Sequence, residues 1–240
     1  MDCATFEPVE SNLLSCVEVE PSGDPRASVV WLHGLGADGH DFEPIVPYLG
    51  VPEGEGVRFV FPHAPKIPVS INMGMAMPAW YDITALDLEK RHDEGGILRS
   101  CRQVQALLER ENRRGIPASR IVLAGFSQGG AIALHLGLRY PEKLAGILAL
   151  STYLVRGESL EEEVKDSGEA NRSTPVFQAH GLQDPMVPFQ RGEAARDRLK
   201  SLGVPIEWKT YPMSHEVCPE EIRDIGDWLG RVLGFRPGLN

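Results

Sequence analysis

The chain has 240 residues, 42% of them hydrophobic and 24% charged, which is enough apolar side chain for a sizeable core in one large domain or two small ones. A net charge of −10 with no Lys/Arg cluster argues against a phosphate-tracking nucleic-acid binder or a polybasic membrane binder. Gly (25) and Pro (19) stay below the level of low-complexity chains, and Cys3, Cys16, Cys101 and Cys218 form no CxxC pair, so zinc ribbons, thioredoxin-type motifs and dense disulfide frameworks are unsupported.

The N-terminus, MDCATFEPVE, lacks both the basic n-region and the apolar h-region of a secretory signal. Leu13–Glu20 is polar and alternating, which suits an edge strand. Ala27–His33 is a continuous apolar run ending in a Gly-rich loop, the pattern of a strand buried on both faces. Val57–Phe61, Arg120–Ala124, Ala145–Leu150, Val176–Ala179 and Ile206–Tyr211 repeat the theme. Between them, Ile97, Cys101, Val104 and Leu108 recur at helical spacing until Gly115–Ile116–Pro117 stops the helix. The apolar stretch from Leu144 to Val155 is interrupted by Ser151 and Thr152 and is too short to span a bilayer. Arg156–Thr174, with its acidic run Glu161–Glu163, reads as a solvated excursion. Ile222, Ile225, Leu229 and Val232 form a last helical stripe, closed by Gly234 and Pro237. Buried strands alternating with helices predict a mostly parallel central sheet with helices on both faces, in a single α/β domain over residues 1–240. A soluble, cytoplasmic protein without stable membrane association follows as the expectation.

Gly34, Gly36 and Gly39 spell GxGxxG directly after a buried strand, the place of a dinucleotide fingerprint. Asp38 and Asp41 would set carboxylates beside a pyrophosphate, and Pro44 and Pro47 suggest a short, late-starting helix. The other reading is that the loop's N–H groups receive a smaller, transient negative charge.

Gly125, Ser127 and Gly129 match G-x-S-x-G in IVLAGFSQGGAIAL, where a buried strand runs straight into a helix. Such a turn strains its central residue and lifts the hydroxyl above the C-terminal edge of the sheet, where open α/β folds bind ligands. The plain alternative is that Ser127 only caps the helix. A serine needs a base and an orienting acid, and after a strand-to-helix nucleophile turn both should lie downstream, acid first and histidine second. Asp184 follows the strand Val176–Ala179, and His215 follows Ile206–Tyr211, so the order Ser…Asp…His is met. Other chemistries fit worse: in the run after His215–Glu216, Pro219 takes the second histidine position of HExxH, and Gly125–Gly130 lacks the Lys-Ser/Thr of a P-loop. His33, His40, His63, His92, His135 and His180 show no ligand spacing and read as structural or surface residues, so no metal is expected.

LHGLGADGHDF (Leu32–Phe42), FPHAP (Phe61–Pro65), MPAWYDI (Met77–Ile83), AGFSQGGAIAL (Ala124–Leu134), HGLQDPMVP (His180–Pro188) and YPMSHEV (Tyr211–Val217) resemble the phospholipase/carboxylesterase family, which includes acyl-protein thioesterases, and most of all its bacterial carboxylesterases. The resemblance implies an α/β-hydrolase fold without a large cap domain and a cofactor-free serine hydrolase. Residue by residue, it makes Ser127 the nucleophile, Asp184 the acid and His215 the base, with the backbone N–H groups of Leu35 and Gln128 as the oxyanion hole. Two positions depart from the family pattern: Ser214 stands where a glycine often precedes the histidine, and Met73–Gly74 follows Asn72 in place of Gly-Gly.

The segment Lys66–Trp80 reads as a loop carrying Met73, Met75 and Met77 beside Trp80, and Met73, Met75 and Trp80, with Leu154 from elsewhere, line an adaptable apolar groove or else pack against the core. The expectation is a carboxylesterase for soluble short-to-medium-chain esters, acting as a monomer or homodimer on a small-molecule ester. The alternatives are an acyl-protein thioesterase or lysophospholipase with the same triad, and a ligand-binding relative with a vestigial one.

Overall fold

Strands that are apolar on both faces have to be covered from both sides. The computed structural model, which describes residues 13–84, 93–166, 169–236 and 238, covers them with helices. Cys3, His92 and Pro237 lie outside the described residues. In chain order the elements are β1 (Cys16–Val19), β2 (Ala27–Leu32), β3 (Val57–Pro62), β4 (Lys66–Val69), β5 (Met75–Pro78), α1 (Glu94–Arg113), β6 (Ile121–Phe126), α2 (Gln128–Arg139), β7 (Gly146–Leu150), α3 (Leu160–Asp166), β8 (Val176–Gly181), α4 (Phe189–Ser201), β9 (Ile206–Tyr211) and α5 (Pro219–Leu233).

The main sheet has the order β1-β3-β2-β6-β7-β8-β9. Every pairing in it is parallel except β1 with β3. Every residue of β2, β3, β6, β7 and β8 is buried, whereas β1 is half-buried throughout, as its polar alternation predicts for an edge. The strands send alternate side chains to two cores. Val30, Leu32, Leu123 and Ile147 pack with Val104 and Leu108 of α1 and Ile132 of α2. Val29, Trp31, Val122, Leu148 and Phe177 pack with Ile225, Trp228 and Leu229 of α5. Each of these large buried side chains contributes about 1.5–3 kcal/mol over its exposed state. This is an α/β-hydrolase fold with no large inserted cap domain, and among the described residues no helix is long and apolar enough to cross a membrane.

Two segments differ from the sequence expectation. Lys66–Trp80 is not a plain loop: β4 and β5 form an antiparallel ribbon, turned by Met73 and Gly74, both at positive φ. Its prolines argue against a strand, but a two-stranded ribbon leaves one side of each strand without ladder bonds, where Pro68 and Pro78 are tolerated. The polar excursion holds a short helix, α3, anchored by the buried Leu160. After the Gly-rich loop comes only a 3₁₀ turn, Glu43–Leu49, with proline at its start and Pro47 inside it, in line with the short, late-starting helix read from the sequence.

α5 begins just after the loop that carries His215, and its first turn buries Glu221 completely, with neither carboxyl oxygen in a hydrogen bond. Burial pushes this carboxyl up to about 8. An acid whose folded pKa is raised binds more protons folded than unfolded, so its contribution is lost as pH rises from the ordinary carboxylate range through 8. Glu221→Gln is therefore expected to melt at a higher temperature than the parent at pH 8–9, with the gap shrinking as pH falls toward 5. Thermal melts across that range check it; a gap independent of pH would show that Glu221 does not titrate there.

Candidate active site

The turn from β6 into α2 is the tightest constraint at the C-terminal edge of the sheet. Ser127 sits at φ 54°, ψ −120°, a conformation L-residues avoid, and its side chain makes no cap hydrogen bond to the helix it precedes. That removes the reading of Ser127 as a simple cap. The two motif glycines explain why the turn closes. A Cβ on Gly125 would run into the backbone of Gly129, and a Cβ on Gly129 would lie 2.5 Å from the carbonyl oxygens of Leu32 and His33. α2 therefore starts directly over the end of β2. The Ser127 backbone is held on both sides: its N–H donates to Leu150 O at 2.8 Å, and its carbonyl accepts from Thr152 Oγ1 at 2.6 Å.

Asp184 and His215 come to the same edge from the loops after β8 and β9. His215 Nδ1 lies 2.7 Å from Asp184 Oδ2, and the N–H groups of Met186 and Val187 each donate to Oδ1 at 2.8 Å. Burial alone would raise the Asp184 carboxyl, but the hydrogen bonds from His215, Val187 and Met186 outweigh it and hold the group below the usual carboxylate range. The His215 ring packs against Phe126, with centroids 4.7 Å apart. Ser127 and His215 line one cavity of about 470 Å³, and Leu35 and Gln128 line it with them. Its walls are mostly apolar (Ile71, Ile83, Tyr153, Met186, Val187), with Asp41 and Arg191 as charged members.

The Gly-rich loop is pinned from several directions. His33 Nδ1 bonds Gly34 O at 2.7 Å while Nε2 accepts from the Ala64 N–H at 3.1 Å. Burial lowers the His33 pKa, which keeps that tautomer neutral. The Gly36 N–H donates to Pro78 O at 2.9 Å. As the first residue of α2, Gln128 has a backbone N–H with no intrahelical acceptor. The two residues whose N–H groups were named from the sequence, Leu35 and Gln128, both line the cavity that holds Ser127. Among the described residues, no three His, Cys, Asp or Glu side chains converge as a metal-ligand set.

The four residues named for an apolar groove are not among those that line this cavity. Met73 and Met75 are 92% and 59% exposed on the β4–β5 ribbon. Trp80 is buried and structural: its indole N–H donates to His33 O at 2.8 Å, and its carbonyl accepts from Ser100 Oγ. Leu154 packs partly buried against the core. Sequence reading missed Tyr153, although it stands just beyond the end of β7, at the edge where ligands collect. It also missed Ile71 and Ile83, which only the ribbon brings together, through the Ile71 N–H to Ile83 O bond at 3.0 Å.

A model of the Phospholipase/Carboxylesterase family matches residues 14–233. Acyl-protein thioesterase 1 of Neurospora crassa is 45% identical over 214 residues, 86% of this chain and 87% of the relative. Among solved structures, Arabidopsis thaliana SOBER1 superposes with a TM-score of 0.80 at 33% identity, covering 87% of this chain and 99% of its own. The Bacillus cereus carboxylesterase superposes at 0.72 with 17% identity over 93% of this chain and 97% of its own, a likeness of fold alone. The bacterial character read from the motifs thus holds only as membership of a common family, and the relative at 45% identity is a fungal acyl-protein thioesterase.

One side chain at the site has a role no motif announced. Buried Gln128 accepts from the Trp80 N–H at 2.8 Å and donates to Tyr81 O at 2.7 Å, clamping the strap that leads to Ile83. Gln128→Met keeps the volume and orphans both backbone groups, each at a cost of about 1–3 kcal/mol. Urea unfolding is expected to show that loss; an unchanged midpoint would mean that the strap is held without the clamp.

Proposed function

The chain belongs to the phospholipase/carboxylesterase family of α/β-hydrolases, and from that premise we propose that it is a serine acyl hydrolase cleaving acyl thioesters, with esters of the same acyl groups as secondary substrates. The observation that carries the catalytic reading is the 2.7 Å pair of Asp184 and His215 beside a cavity shared with the strained Ser127. In the proposed cycle His215 takes the Ser127 proton as the oxygen attacks the carbonyl, and Asp184 holds the imidazole tautomer and stabilises the imidazolium. The developing oxyanion is met by the N–H groups of Leu35 and Gln128; one such donor is typically worth about 10²–10³ in rate. The thiolate or alkoxide leaves, and water activated by His215 hydrolyses the acyl-enzyme. The residues act as one domain over 1–240 and need no metal or cofactor.

The thioester preference rests on the 45% identity to a protein named acyl-protein thioesterase, which supports this alternative over the carboxylesterase reading. Esterase action on soluble short-to-medium-chain substrates stays as the second reading. It is favoured by a fold with no large inserted cap domain, so that no separate domain covers the cavity.

Ser127→Ala is expected to abolish hydrolysis with the fold intact, since the hydroxyl supports no cap bond. Asp184→Asn is expected to lose about 10⁴ in kcat, the scale seen when the histidine tautomer is wrong. Full activity of purified Ser127→Ala enzyme would sink the mechanism. Matched thioester and oxyester series, from acetyl to palmitoyl, separate the two substrate readings: higher kcat/KM on oxyesters throughout would favour the carboxylesterase. Activity in both series is expected to survive EDTA.

A further inference from the structure

A second histidine lies beneath the acid. His180, the fifth residue of β8, is fully buried and does not line the cavity. Its Nε2 is 2.9 Å from Val187 O and 3.6 Å from Asp184 Oδ2. A carbonyl oxygen can only accept, so Nε2 carries the proton and Nδ1 is the bare nitrogen. Nδ1 has no hydrogen-bond partner and faces Gly192 of α4, where a Cβ would come within 2.5 Å of it. Glycine at that position is what lets α4 cross over the ring.

We propose that His180 is a positioning residue for the acid of the triad, acting through the Val187 backbone to aim the Asp184 carboxylate at His215. The inference rests on the catalytic reading above. The Val187 backbone is gripped on both sides of its Cα: its N–H donates to Asp184 Oδ1, and its carbonyl, in the next peptide, accepts from His180. The turn from Asp184 to Val187 is thereby closed, with Oδ1 occupied by the Met186 and Val187 N–H groups and Oδ2 left for His215. Without the His180 donor, the Val187 carbonyl loses its partner and the residue is fixed on its N–H side alone. The Val187 N–H is then held less firmly against Oδ1, and the carboxylate loses part of its fixed orientation. Burial lowers the His180 pKa, so the ring stays neutral and does not compete with His215 as a counter-ion for Asp184. A role in packing alone would depend on ring shape, against Phe189 and Trp208 at centroid distances of 5.9 and 6.4 Å, and not on the N–H.

The test separates shape from donor. His180→Phe keeps a ring and removes the donor; His180→Gln and His180→Met are flexible side chains of similar length, of which only Gln can donate. Active sites are first counted with a fluorophosphonate, then kcat and KM are measured on a soluble ester, and the low-field Nδ1–H proton resonance of His215 is recorded. His180→Phe and His180→Met are expected to lose about ten- to hundredfold in kcat at little-changed KM. The resonance should weaken or move in both, and His180→Gln should recover most of the rate and the signal. Wild-type kcat and resonance in His180→Phe would overturn the proposal. If that variant does not fold, equal kcat in the Gln and Met variants would overturn it instead. A parent enzyme that fails to label at Ser127 would bring down the catalytic reading itself; a parent that labels while the donor makes no difference brings down only the role of His180.

Discussion

Ser127 is held at φ 54° between the last residue of β6 and the first of α2, in a backbone conformation that costs an L-residue about 1–3 kcal/mol. It persists because its surroundings over-determine it. Gly125 and Gly129 let α2 press onto the ends of β6 and β2 with no side chain between, and the all-buried strands on either side cannot shift to relieve the turn. The strain is spent on direction: the hydroxyl is released from the helix cap it would otherwise make and is left at the cavity. A serine relaxed into an ordinary N-cap would bond its own helix.

The rest of the site follows from the same sheet edge. Parallel strands all end there, so the loops after β2, β6, β7, β8 and β9 meet without any long-range recognition between them. What the loops need is fixation, and polar side chains buried beneath them supply it. His33 holds the Gly-rich loop, Gln128 the strap after Trp80, and the Asp184 carboxylate its own turn. Each of these hydrogen bonds is modest in net stability, yet leaving any one of these buried groups unpaired is expensive. That asymmetry makes the loops rigid at the places where chemistry needs precision.

Charge is handled in the same way on the far side of the sheet. Glu111 of α1 is fully buried, and it pairs with Arg58 of β3 at 2.8 Å and with Arg114 at 3.0 Å, while Arg58 also reaches Glu20. This network ties α1 to the edge of the sheet where β1 and β3 run antiparallel. An exposed pair would add little, whereas removing one member of a buried pair strands its partner. The acidic excess of the chain therefore coexists with an interior in which the buried arginine is met by two carboxylates.

Reading along the chain was sufficient for the strand–helix alternation, the edge character of β1, the parallel sheet and the order of Ser127, Asp184 and His215, because these depend on local apolar periodicity and on short spacings around glycine. The meeting of Asp184 with His215 followed from topology, since each stands just past a parallel strand. What surrounds them was not legible. Whether Met73 points into a groove or into solvent depends on a turn at positive φ inside a ribbon whose prolines hide it, and whether Ile71 and Ile83 form a wall depends on a hydrogen bond across twelve residues. Gln128 and His180 carried no local signal either. A buried polar side chain is identified by the backbone groups it satisfies, and Trp80, Tyr81 and Val187 become its partners only once the strands and helices have packed. Apolar patterning determined which segments lie inside; only the tertiary structure decided which polar groups they would have to satisfy there, because that demand arises from desolvation and not from sequence order.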